Sequence, residues 1–161
     1  MVNIHEVATF RAPVQRVFAL VADGAQARRW VTGVVSSERV GEVESAPVGV
    51  GARFRWVVKL GPLVREESSQ QITLYRLNEE IGFRATSGLP VEGHWLFQHR
   101  EGLTEVTYEA TVGLEGRVLG RLLGSTVGTT LWASAMRASL GRLRGIVEAE
   151  ESTSSQPEVT P

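Results

Sequence analysis

The chain has 161 residues, enough for one domain with a substantial core, and its 42% hydrophobic and 22% charged content is that of an ordinary globular protein. A formal net charge of -1 provides no global basic field, which argues against nucleic acid and anionic membrane surfaces as main partners. Cysteine is absent, which rules out disulfides, thiolate zinc sites and thiol nucleophiles.

Residues 1–6 lack a basic segment followed by an apolar one, so no signal peptide is expected. No apolar run approaches the roughly 18–20 residues that span a bilayer, so no integral membrane segment is expected and the expected location is cytoplasmic. Residues 2–11 alternate loosely and carry Val, Ile, Thr and Phe, which predicts a first strand. Pro13 stops it and suits the first turn of a helix, because its fixed φ and missing N–H cost nothing there. Val14, Val17, Phe18 and Val21 then recur at helical spacing up to Asp23-Gly24, and residues 25–31 read as a second short helix with Trp30 on its apolar side.

From Val34 the period becomes 2. A strand is predicted over 34–43, then a turn-rich stretch over 45–51, then a strand over 52–60. In the last of these Ala52, Phe54, Trp56, Val58 and Leu60 share one face while Arg53, Arg55 and Lys59 share the other, the pattern of a half-buried antiparallel strand. Further strands are predicted over 63–77, 81–86, 91–100 and 103–114, separated by turns at Asn78, at Ser87-Gly88-Leu89-Pro90 and at Glu101-Gly102. Beyond Gly113 the period changes to 3.6. Val118, Leu122 and Leu123 read as a first helical piece, with Gly120, Gly124 and Gly128 as breaks. Leu131, Ala135, Leu140, Leu143, Ile146 and Val147 predict a long amphipathic helix to about Ala149. Residues 150–161 are rich in Ser, Thr, Glu and Pro and read as a disordered tail after a domain of residues 1–149. Consecutive strands with no helix between them require an antiparallel sheet, and one apolar-faced helix must cover it, so the fold class is α+β.

Thr9-Phe10-Arg11-Ala12-Pro13-Val14-Gln15-Arg16-Val17-Phe18 resembles the strand–Ala-Pro–helix opening of the START-like (SRPBCC) superfamily, in particular its polyketide cyclase/dehydrase branch. Trp30 and the stretch Gly49-Val50-Gly51-Ala52-Arg53-Phe54 continue the likeness, and the closing helix has the expected place and length. The glycine-rich stretch precedes a strand, so it offers no helix N-terminus to a pyrophosphate. The resemblance implies a helix-grip fold: a curved sheet of six to seven strands wrapped around the C-terminal helix, with an elongated cavity between them. It does not imply one activity, because fold alone does not carry function.

Alternation places Phe54, Trp56, Trp95, Phe97, Val106, Tyr108 and Ala110 on the concave face, where large aromatics either fill the core or line a pocket. With Trp30, Phe83, Trp132 and Met136, the aromatics among them form the expected ligand-binding set. Candidates for acid–base work are Tyr108, His99 and Glu66. His94 alternates with Trp95 and is expected to face solvent. His5, His94 and His99 have no metal-ligand spacing, so neither a metal nor another cofactor is expected. Adjacent Glu66 and Glu67 point to opposite faces of a strand and cannot form a catalytic pair. One of them either pairs with Arg55 or Arg84 in the interior or belongs to a salt-bridged convex surface. Ser125, Ser134 and Ser139 lack a nucleophile-elbow context. The residues leave two main readings open, beside a third in which the chain is a subunit that docks its open cavity onto a partner's helix. The first is a binding protein for a hydrophobic small molecule (a lipid, an isoprenoid or an aromatic, polyketide-like metabolite). The second is a cyclase or dehydrase that uses Tyr108, His99 or Glu66. Exposed sheet edges make a homodimer plausible.

Overall fold

The computed structural model describes residues 2–41, 46–60, 62–113 and 126–154. The first strand, β1 (Val2–Phe10), gives way at Pro13 to helix α1 (Val14–Ala22). Asp23 closes that helix, and its carboxylate accepts a hydrogen bond from the Ala25 N–H, which starts a 3-10 turn (Gly24–Gln26) leading into the short helix α2 (Ala27–Trp30). Six strands follow: β2 (Val34–Val40), β3 (Arg53–Leu60), β4 (Val64–Arg76), β5 (Glu80–Ser87), β6 (Val91–Arg100) and β7 (Leu103–Val112). The long helix α3 (Thr126–Ser154) closes the described chain.

All seven strands form one antiparallel sheet in the order β1-β7-β6-β5-β4-β3-β2, so β1 crosses over to pair with the last strand. The turn between β6 and β7 uses Glu101 and Gly102, both at positive φ (49° and 79°), the twist that matches two flanking strands. Asn78 takes the left-handed conformation between β4 and β5. Register shifts at Val34/Ser36, Ser69/Gln70 and Ile72/Leu74 are β-bulges, and these bend the sheet around the helix. The two edge strands are not bare. Arg144 of α3 donates to the Thr9 carbonyl on β1, and Ser37 of β2 donates to the Ala25 carbonyl and accepts from the Arg28 N–H.

The core lies between the concave face and α3. Val106, Tyr108, Ala110 and Val112 of β7 are buried as their alternation predicts, while Met136, Leu140, Leu143 and Val147 bury one stripe of α3. Leu131 departs from the expected stripe. It is 64% exposed, because the sheet-facing side of this turn is taken by Trp132, Ala135 and Met136. The helix also runs through Gly128 and beyond Ala149 to Ser154, and its end is held by ion pairs of Glu150 with Arg29 and Glu151 with Arg16. The expected break at Gly128 and the start of the tail at residue 150 are therefore corrected. The helical piece around Val118, Leu122 and Leu123, the breaks at Gly120 and Gly124, and the tail over 155–161 lie outside the described residues. Among the described residues no helix is long and apolar enough to cross a membrane.

Candidate functional site

Curvature leaves a cavity of about 180 Å³ between the sheet, α2 and α3. Its apolar wall is built from four directions. Trp30 comes from α2, Phe54 and Trp56 from β3, Phe83, Trp95 and Tyr108 from β5, β6 and β7, and Trp132, Ala135 and Met136 from α3. The rings hold one another. Trp95 meets Trp30 edge-on with centroids 5.7 Å apart and lies 4.5 Å from Tyr108, which stacks on Phe83 at 6.0 Å. Trp56 is fixed by donating its indole N–H to the Gly24 carbonyl at 2.9 Å. Gly24 is needed there, since an added Cβ would sit 2.5 Å from the Phe54 ring.

One strand supplies most of the polar wall. Glu66, Ser68, Gln70 and Gln71 of β4 all line the cavity. Gln70 follows the alternation of Glu66 and Ser68, and the register shift at Ser69/Gln70 places its extra residue, Thr86, on β5, so the alternation of β4 runs on unbroken. Opposite them, buried Ser139 of α3 donates to the Ala135 carbonyl and accepts from the Thr32 N–H at 2.9 Å. It thereby ties the helix to the loop after α2.

Eight of the nine expected ligand-binding residues lie in this wall: Trp30, Phe54, Trp56, Phe83, Trp95, Tyr108, Trp132 and Met136. Phe97 does not. It is buried, but its ring packs edge-on against Phe18 of α1 at 5.0 Å and closes the core at the far end of the sheet. Two of the three acid–base candidates, Tyr108 and Glu66, line the cavity. His99 is exposed near the end of β6 and does not line the cavity, so it leaves the candidate set. His94 faces solvent and pairs with Glu80 at 3.4 Å. Glu67 lies on the convex face with Arg55, which also binds Glu38, so the exterior network holds rather than a buried pair with Arg84. Among the described residues no group of three His, Asp or Glu side chains suits a metal. Sequence reasoning missed Ser68, Gln70, Gln71, Thr32 and Ser139. The alternation Glu66-Ser68-Gln70-Ile72 was the available signal for the first two.

Tyr108 is 3% exposed. Burial pushes its phenol well above the ordinary tyrosine value of 10.0, an effect only partly offset by the neighbouring Trp132 side chain. The Trp132 N–H itself has no hydrogen-bond partner among the described residues, so the two groups interact short of hydrogen-bond geometry. Tyr108 is therefore a neutral proton donor throughout the physiological range. Its raised folded-state value has a definite sign in stability. The contribution is fully present below pH 10.0, and is lost at higher pH as the unfolded phenol ionises and the folded one does not. Denaturant titrations should show stability falling above that pH more steeply in the wild type than in Tyr108→Phe. Equal slopes would place the phenol in contact with water.

A family model described as polyketide cyclase / dehydrase and lipid transport matches residues 1–148. None of the curated proteins matches the chain. Among solved structures, TTHA0849 from Thermus thermophilus is similar, with a TM-score of 0.75 and 22% sequence identity over 92% of this chain and 98% of that one. The di-domain ARO/CYC StfQ from the steffimycin biosynthetic pathway has a TM-score of 0.69 and 19% identity over 92% of this chain and 46% of its own. Ara h 8.0201 has a TM-score of 0.68 and 13% identity over 91% of this chain and 97% of its own. At these identities the likeness establishes a shared fold, the helix-grip arrangement of curved sheet and closing helix.

Proposed function

The chain belongs to the polyketide cyclase / dehydrase and lipid transport family, and from that premise we propose that its cavity binds a compact hydrophobic small molecule of one or two fused rings. The observation that carries this reading is the aromatic wall itself, enclosed between sheet and α3. A volume of about 180 Å³ lies near that of apolar cavities of roughly 150 Å³ that take up benzene, and below the span of about 300–1,000 Å³ common for drug-sized ligands. An aromatic metabolite suits that space better than an extended acyl or isoprenoid chain. The polar edge of β4 fixes its orientation.

Ala135 lies in the wall between Trp132 and Met136, and its methyl leaves room that a larger side chain would fill. Ala135→Phe should lower the affinity for the fluorescent two-ring probe 2-naphthol by roughly tenfold or more, with the helical circular dichroism unchanged. Undiminished probe binding would put the ligand elsewhere.

A second reading is favoured by one observation: Tyr108 and Glu66 line the same cavity. A neutral phenol that donates and a carboxylate that accepts are the two groups a dehydration needs, one for the leaving hydroxyl and one for the α-proton. StfQ, of the same fold, is an ARO/CYC. Under this reading Tyr108→Phe and Glu66→Gln each abolish turnover of a β-hydroxyketone while retaining its binding.

A further inference from the structure

The cavity stops short of one end of the sheet, and three aromatic rings fill the space beyond it. Trp95 and Tyr108 stand opposite each other on β6 and β7 and line the cavity, whereas the next pair on the same face, Phe97 and Val106, does not. Same-face residues on a strand lie about 6.8 Å apart, so the boundary falls within one such step. Each neighbouring element gives the same boundary. Ala22 of α1 lines the cavity, while Phe18, one helical turn before it, does not. Met136 of α3 lines it, while Leu140, one turn after, does not. On the sheet Ile81 of β5 lines it, and its cross-strand partner Tyr75 does not. Phe18 ties the cluster together. Its buried ring meets Phe97 edge-on at 5.0 Å and Tyr75 edge-on at 5.3 Å.

We infer that Phe18 and Phe97 determine specificity by length: together they are the end stop of the cavity, and they hold a ligand lying along the strands to two fused rings. This deepens the binding reading above and rests on it. Packed interiors leave no slack, so a longer ligand cannot advance without displacing one of these rings, and each is held by the other. The stop is set by shape alone, at the end of the cavity, while the polar groups of β4 act from its side. Orientation and length are therefore read by different residues. Truncating Phe97 to alanine opens the next step along β6, about 6.8 Å, which is room for a further fused ring. Truncating Phe18 removes the ring that braces Phe97 and opens part of the same space.

The test pairs 2-naphthol with 2-anthrol, which carries one more ring in line, each titrated by fluorescence into the full chain. The wild type should bind 2-naphthol at least about tenfold tighter, since apolar pockets discriminate by roughly 10–200-fold over a single methylene and a ring is larger. Phe97→Ala should abolish or reverse that preference, and Phe18→Leu should reduce it. The affinity for 2-naphthol serves as the control for an intact cavity in each variant. Should Phe97→Ala fail to fold, the milder Phe18→Leu carries the measurement. Phe10→Leu is the counter-test. Phe10 is fully buried too, but it lies one step further along, opposite Thr104, with the Arg144 guanidinium over its ring. That variant should lower the melting temperature and leave the ratio of affinities unchanged. Wild-type binding of 2-anthrol as tight as that of 2-naphthol, or tighter, would overturn this inference while leaving the cavity reading in place. So would a ratio that neither wall variant changes, or one that Phe10→Leu shifts as far as they do. Binding of neither probe would overturn the cavity reading and this inference with it.

Discussion

Trp132→Ala should cost the protein its ligand and leave most of its stability, while Leu143→Ala should do the reverse. Both residues lie on the sheet-facing side of α3, so the contrast isolates what each turn of the helix does. Leu143 is 0% exposed and packed on every side, and truncating such a residue costs about 2–5 kcal/mol. For a domain of this size that corresponds to a fall in Tm of roughly 5–15 °C. Trp132 is only half-buried and one side of it meets the cavity, so the empty protein loses only part of the packing a core tryptophan would give up. A stability loss of about 1–2 kcal/mol is expected, with probe affinity reduced roughly a hundredfold. Thermal melts and 2-naphthol titrations on both variants read the two quantities separately. Equal losses of folding and binding in Trp132→Ala would make that indole core rather than pocket.

Gly93→Val should prevent folding. Gly93 of β6 faces Ala110 of β7, and a Cβ added there would stand 2.1 Å from the Glu109 carbonyl oxygen and 2.8 Å from the Ala110 Cα. Both are backbone atoms held by the longest uninterrupted pairing in the sheet, so neither can step aside. The substitution therefore forces β6 off β7 and disturbs the register that delivers Trp95 and Tyr108 to the cavity. A loss of about 3 kcal/mol or more is expected, seen as insoluble protein or a collapsed denaturation midpoint. Gly141→Ala is the counterpart: it sits in α3 with open space around the added methyl, and should stabilise by up to about 1 kcal/mol. Soluble Gly93→Val with a native melt would contradict the tight β6–β7 contact.

The two contrasts also mark where residue patterns carry structural information and where they do not. Strand β3 was legible because its two faces meet different solvents: Phe54 is buried and Arg53 and Arg55 are exposed, so period 2 appears in the residues themselves. The aromatic wall was legible for the same reason. Phe97 shares the parity of Trp95 yet lies away from the cavity, because parity assigns a face and not a position along the strand. His99 fails as a candidate for the same reason, one step nearer the strand end. Gln71 was hidden because it is out of phase with Glu66, Ser68 and Gln70, so alternation assigns it to the other face. Leu131 was misplaced because Trp132 takes the inward side of its turn. The extra turn of α3 past Ala149 depends on partners far away in sequence, Arg29 and Arg16, which no local pattern contains.

Native mass spectrometry of the purified protein, followed by extraction of what it holds, tests the central claim most directly. The cavity reading predicts a stoichiometric small molecule in the wild type, aromatic or ring-bearing, that is absent from Ala135→Phe. An empty wild-type spectrum, with no shift in melting temperature across a panel of ring ketones and their hydrocarbons, would contradict it.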